Sequence, residues 1–509
     1  MPKQLSRLRP SKGLAFDLPA WETSPDFYSR LFNIVIRSGF PQRIGGKRNA
    51  YDPPTVAPYH VFNAPQLGNN FWHYQGINHM YVVTGLTHTD ITILAGLTNI
   101  ARPAQWSHAI LNGIPVFNNS IDFPMYWAGL TANKALALPG WPANTSAALI
   151  AQHKFHLFAL NMTVSSVNNG SQFLWSDAAL PGAIPASWTP SATNEAGSGQ
   201  LSETPGVITA GRSLRDSFII YKSNAAYTVD YVKGNDKFVT KLLWSRAGAL
   251  SSRAVDDANG FHVVVTEGDI VINDGYSQPK SIAEGLVRRF LFDQISTSNF
   301  DTLQVLHDFV NNDVWIMFPE TGETFCTIAL VYNLASQAWG VVDLADVAYT
   351  AMGIIDDTSP GTTWDTDAGL WDDDLTTWNE SNLTAAIERM MQAQPLTTKL
   401  VAFNTTDLTV LDSLIAKYSM TFGEPERIKF VRQAHIRGRL FGSLFMRVGY
   451  QMFPDDAIAW SAEVTITDPG QPVPLFTQGR YISFELRGAD NAVYDFTGVD
   501  FEVEMRGYF

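Results

Sequence analysis

The chain has 509 residues, of which 45% are hydrophobic, 12% aromatic and 17% charged, with a single cysteine and a formal net charge of −14 at pH 7. One cysteine excludes an intrachain disulfide, and the acidic balance argues against a protein that grips nucleic acid, because gripping exchanges counterions for Lys and Arg. So low a charged fraction leaves apolar surface to be met by other chains.

No apolar run approaches the roughly 18 residues of a membrane span, so no membrane-spanning segment is expected. The start, Met1-Pro-Lys-Gln-Leu-Ser-Arg-Leu-Arg9, is basic but has no apolar core behind it. It therefore does not read as a secretory signal, and synthesis in a cytoplasm is expected. Charge is spread unevenly: residues 1–48 hold nine basic and three acidic residues, whereas residues 341–380 hold ten acidic and no basic ones. Different ends of the chain are expected to meet different partners.

Residues 1–70 are rich in Pro, Gly and Arg and read as an extended N-terminal arm with one apolar run at Phe32-Asn-Ile-Val-Ile36. Arg37, Arg43, Lys47 and Arg48 surround Gly45-Gly46 but do not make a phosphate loop. Pro41 stands where the first glycine of that motif belongs, and Arg48 replaces its Ser/Thr. Arg37, Arg43 and Arg48 are candidate interface residues.

Residues 71–424 carry short strands between turns. Phe71-Trp-His-Tyr, Met80-Tyr-Val-Val-Thr, Ile91-Thr-Ile-Leu, Ile114-Pro-Val-Phe and Met125-Tyr-Trp form a first set. The stretch 171–232 is the most informative. Ser171-Gln-Phe-Leu-Trp-Ser-Asp177, a polar crossing over 191–203, and the runs Ser217-Phe-Ile-Ile-Tyr-Lys-Ser223 and Ala226-Tyr-Thr-Val-Asp-Tyr-Val232 read as one unit with a hairpin turn at Lys222-Ser-Asn-Ala. Phe155-His-Leu-Phe-Ala-Leu belongs to the same set. Further strands follow at Phe261, Ile270, Val314, Thr327 and Trp339. Leading strands recur every ~45–60 residues, near the length of a four-stranded propeller blade, and closure of such blades removes open sheet edges. Helical periodicity is confined to residues 385–394 and part of 407–416. From about residue 425 long alternating strands follow, with one wet and one buried face, as in a separate C-terminal β-sandwich or barrel-like domain over 425–509. The expected fold is all-β: a β-propeller with an additional C-terminal β domain and the N-terminal arm packing against it.

Three groups of residues resemble the tail nozzle proteins of short-tailed bacteriophages, also called tail tubular protein B or packaged-DNA stabilisation proteins. They are Phe173-Leu-Trp-Ser-Asp with Trp188-Thr-Pro-Ser, Asn194-Glu-Ala-Gly and Ser217-Phe-Ile-Ile-Tyr-Lys-Ser; the ladder Thr363-Trp364-Asp365, Leu370-Trp371-Asp372 and Thr377-Trp378-Asn379; and Gly479-Arg-Tyr-Ile-Ser-Phe-Glu-Leu-Arg487 with Gly498-Val-Asp-Phe-Glu-Val-Glu-Met-Arg-Gly507. The resemblance runs from about residue 155 to the end. It implies a structural virion protein of the tail, assembled in the host cytoplasm as a homo-hexameric ring below the portal and adaptor rings. Tail fibres or appendages would be neighbours. Genomic double-stranded DNA would pass through the lumen without sequence-specific binding. Six copies carry a formal charge of six times −14, or −84, and a wall of that sign repels phosphate.

The ladder Trp364, Trp371 and Trp378 has a bland reading, in which the rings pack under a turn-rich acidic loop, and a sharper one as a docking site for a fibre or partner subunit. Asp365, Asp367, Asp372 and Asp374 also raise calcium, without the ligand spacing of a known loop. Aromatics beside carboxylates leave a carbohydrate-active or carbohydrate-binding propeller as the alternative function, although Ser359 occupies the Asp position of the sialidase-type box. His153 and His156, read as one strand, face opposite ways and cannot chelate together. Cys326 reads as a core residue. No nucleophile elbow or zinc motif occurs, so no enzyme activity, cofactor or metal is expected.

Overall fold

The structure, a computed structural model, describes residues 4–66, 68–232, 237–355, 388–405, 411–488 and 493–508. Runs of β-branched and aromatic residues alternate with short turns, and the turns set the hairpins. Ser38-Gly39 and Asn112-Gly113 hold positive φ at both positions (53° and 77°, 53° and 80°), the two-residue turn whose twist matches that of paired strands. The result is an all-β fold, a β-propeller with an additional C-terminal β domain.

Contacts divide the chain into two compact units. The first comprises residues 1–46, 254–345 and 406–509, and the second comprises residues 47–253 and 346–405.

The second unit holds five four-stranded antiparallel meanders, the blade motif. Four are built from consecutive strands over residues 60–90, 107–137, 145–200 and 208–245. The fifth uses Tyr349–Ile354, Glu388–Gln394 and Lys399–Thr405, and its outer strand is Gly46–Asn49 from far back in the chain. That borrowed strand satisfies an edge which would otherwise stay open. Apolar side chains fill the space between blades. Phe158, Phe173, Trp175, Phe218, Tyr227 and Phe238 form one such layer, with the Phe158 and Phe218 rings stacked at 4.4 Å. Lys222 ends a central strand fully buried, and its Nζ donates to Leu201 O (2.8 Å), Thr204 O and Ser171 Oγ (3.2 Å), so a buried cation ties down the polar crossing.

The first unit holds two further meanders, over residues 255–281 and 304–347. The latter continues through Ile34–Arg37 and Phe40–Arg43 into Val493–Tyr508, Arg427–Phe441 and Pro472–Gly479, and Gln4–Leu8 pairs with residues 499–503, making a ten-stranded sheet. A six-stranded sheet built on Ser413–Met420, Tyr481–Gly488 and Leu444–Gln451 lies against it. Phe501 of one sheet meets Phe484 and Phe422 of the other layer, each at 5.8 Å, which makes this C-terminal part a sandwich.

Four expectations change. Residues 388–394 and 413–420 are strands, Glu388–Gln394 and Ser413–Met420, not helices. Met390, Met391, Gln392 and Ala393 are all buried between neighbouring strands, so tertiary packing overrides helix propensity. The described α-helix is instead Arg288–Gln294. The stretch 171–232 belongs to two adjacent blades, because the polar crossing supplies the outer strand Gly197–Gln200 of the first before the chain moves on. His153 and His156 lie on two strands and face each other across a hairpin. In the C-terminal domain Pro472–Gly479 alternates cleanly, whereas Tyr481–Gly488 is buried on both faces, with Phe484 against Phe501 on one and Ser483 and Glu485 bonded by Ser419, Tyr418 and Arg447 on the other.

Candidate functional site

The 173–177 and 194–197 parts of the first motif converge in one blade, while Ser217–Lys222 is a strand of the next. Trp175 ends its strand directly opposite Gly197, and a Cβ on Gly197 would stand 2.1 Å from the indole. Gly199 stands in the same relation to Phe173, at 2.3 Å. The outer strand thus needs glycine so that two aromatic rings can lie across it. Trp175 Nε1 donates to Glu195 O at 2.7 Å, and Glu195 N donates to Asp177 Oδ1 at 2.9 Å. The Glu195 carboxylate gathers Tyr231 Oη at 3.0 Å, Lys237 Nζ at 3.3 Å and His156 Nε2 at 3.4 Å. Its hydrogen bond with Tyr231 raises the phenol above its ordinary range. His156 Nδ1 meets Ser176 O at 2.9 Å. These polar groups are spent on tying the end of this blade to the next, which carries Tyr231.

A second cluster in the same unit was not legible in the sequence. His60 Nε2 and His108 Nδ1 are 2.8 Å apart. Phe62 stacks on His108 at 4.0 Å and on His73 at 5.0 Å. Arg253 lies 4.7 Å over the Tyr349 ring and donates to Ala348 O and Pro103 O at 2.9 and 2.6 Å. Burial pushes the His73 and His108 imidazoles down to about 3 and holds His60 well below its ordinary range. His153 is pushed down to about 4, again chiefly by burial. Neutral, desolvated imidazoles at pH 7 serve as packing groups rather than general acids. His60, His73 and His108 lie 13 to 48 positions apart, and only strand pairing such as Phe62 with His73 brings them together.

In the first unit, Arg37 Nε and Nη2 donate to Asp313 Oδ2 at 2.9 and 2.7 Å, and Asn333 Nδ2 donates to Oδ1 at 2.7 Å. Burial raises the fully enclosed Asp313 carboxyl, against the opposing pull of Arg37. Arg43 sits in the partner strand of the same hairpin, opposite Ile34, and burial lowers its guanidinium. Arg48 lies half-buried in the outer strand Gly46–Asn49 of the second unit. Asp500, almost fully buried, is held by Arg437 at 2.8 Å and approached by Arg7 at 3.7 Å. Cys326 is buried, with Sγ donating to Thr302 O at 3.3 Å. The ladder Trp364, Trp371 and Trp378, with Asp365, Asp367, Asp372 and Asp374, lies outside the described residues. Among the described residues no group of three or more His, Cys, Asp or Glu could hold a metal ion, and no helix is long and apolar enough to cross a membrane.

Comparison with protein-family models and with curated proteins gives no match. Among solved structures the chain is similar to YCF48 bound to D1 peptide, at 11% identity and a TM-score of 0.37, covering 72% of this chain and 99% of that one. It is similar to the β-propeller domain of Cps50 (Swd1) from Myceliophteria thermophila, at 8% identity and a TM-score of 0.41, covering 71% and 100%. PorZ of Porphyromonas gingivalis, a surface component of the type-IX secretion system, aligns at 8% identity and a TM-score of 0.39, covering 76% of this chain and 44% of that one. At these scores the likenesses carry no argument about function, and the propeller assignment stands on the strand order.

Proposed function

We propose that this chain is a structural virion protein of a short-tailed phage: a tail nozzle that forms a hexameric ring whose acidic channel retains the packaged genome and conducts it during ejection. The observation that carries the reading is the node around Trp175. Five of the residues that bear the resemblance (Phe173, Trp175, Asp177, Glu195 and Gly197) pack and bond to one another within one blade, as expected of a scaffold. Support also comes from the −14 formal charge, since a conduit for DNA is served by a wall that repels phosphate. The N-terminal strand Gln4–Leu8, paired to residues 499–503, would place the basic arm beside the C-terminal domain that meets the adaptor ring. Fibres or appendages are the other expected neighbours.

Electron microscopy of the purified protein tests the proposal. Sixfold rings with an axial opening are expected; monomeric discs without a ring would overturn it.

A further inference from the structure

Each described blade of the second unit ends in an outer strand, and one differs from the rest. Thr87–Asp90, Leu136–Ala137, Gly197–Gln200 and Gly46–Asn49 run for two to four residues. Phe238–Ser245 runs for eight and, among the described residues, pairs on one side only, with Ala225–Tyr231. Its sequence, Phe-Val-Thr-Lys-Leu-Leu-Trp-Ser, is rich in β-branched and aromatic residues and lacks Pro and Gly. Val239 (47% exposed) and Leu242 (36%) face solvent beside Thr240 and Lys241. Among the described residues the other long outer strands are guarded. Ala338–Val347 is met by Ile34 at Val341 and by Gly13 at Trp339, and Pro472–Gly479 carries Pro472 and Pro474. A long, unguarded edge of this composition is a template for another strand. A bulge at Leu243 bends only its far end.

We propose that Phe238–Ser245 is a strand-addition edge that receives an extended acidic segment from a second copy of this chain. Charge selects the occupant. Residues 237–246 contain Lys237, Lys241 and Arg246 and no acidic residue, on a chain of net charge −14. Lys237 is engaged by Glu195, whereas Lys241 and Arg246 have no side-chain partner among the described residues. Pairing of the edge with its own counterpart about a two-fold axis would set the two Lys241 side chains beside each other, and like charges across a pair are unfavourable. The contact is therefore between unlike surfaces, the kind that closes into rings. This inference rests on the proposed ring and names one edge that builds it.

Sedimentation velocity on the full chain and on Lys241→Glu and Val239→Pro, with amide hydrogen exchange on the assembled species, tests it. Lys241→Glu removes no described contact, so it is expected to melt like the wild type while weakening assembly by about tenfold or more. In wild-type rings the amides of residues 239–242 are expected to exchange more slowly than in the dissociated chain. Wild-type rings with Lys241→Glu assembling normally and 239–242 unprotected would overturn the edge and leave the ring standing. A wild-type chain that stays monomeric at every concentration would overturn both.

Discussion

Arg37 illustrates how a residue singled out for its charge finds its meaning only in three dimensions. In the sequence it is a candidate interface residue; in the fold its guanidinium neutralises Asp313, whose side chain is wholly enclosed. Removing one partner of a buried pair strands the other charge. Arg37→Met is therefore expected to lower unfolding free energy by about 3–5 kcal/mol, measured by urea titration, and adding Asp313→Asn is expected to restore part of that loss. His73 offers the opposite case. Neither ring nitrogen has a hydrogen-bond partner among the described residues, and the ring lies among Phe62, Phe117 and Trp127. Its folded pKa of about 3 is below the ordinary 6.5. The unfolded chain thus binds the proton first, and the stability His73 contributes is whole above pH 6.5 and is lost as pH falls toward 3. His73→Phe is expected to leave stability at pH 7 unchanged or higher, and to remove ~1.4 kcal/mol per pH unit from the acid slope across that window. A urea midpoint at pH 5 that falls as steeply in the variant as in the wild type would contradict this.

At the scale of elements, the strands were legible where turn chemistry and alternation agreed. Ser217–Lys222 and Ala225–Tyr231 lie where β-branched runs flank a short polar turn. The misreadings share one cause. Met390-Met-Gln-Ala-Gln looks helical by propensity, but both its neighbours in the sheet are strands, and pairing decides. The short outer strand Gly197–Gln200 was hidden because its glycines read as loop, when they are there to admit Phe173 and Trp175. Gln4–Leu8 is another element whose role is set elsewhere, since it covers residues 499–503 and brings Arg7 near Asp500. Deleting residues 2–9 is expected to raise amide exchange across 499–503 by about tenfold while leaving the blades over 60–245 unchanged. Unaltered protection at 499–503 would show that the strand adds nothing there.

For the whole molecule, charge is the property that bears on the proposed role. Non-specific binding to duplex DNA comes from phosphate neutralisation, with typical dissociation constants of about 10⁻⁴–10⁻⁶ M. A ring of −84 is expected to bind a short duplex more weakly than that range in an electrophoretic shift at low salt. A micromolar complex would mean that the lumen holds DNA by cations, against the conduit as proposed. Assembly itself works against the same like-charge repulsion, which makes a local basic edge such as Lys241 the more telling.

The linear chain by itself determined that this protein is predominantly β, that its strands recur at blade length, and that no intrachain disulfide holds it, because these follow from side-chain shape, turn residues and one cysteine. Tertiary structure alone decided which strands share a blade, why Gly197 must be glycine, and which charges are enclosed. Burial and pairing depend on residues hundreds of positions apart: Gly46–Asn49 completing a sheet with Lys399–Thr405, and Arg37 meeting Asp313. No local pattern encodes either.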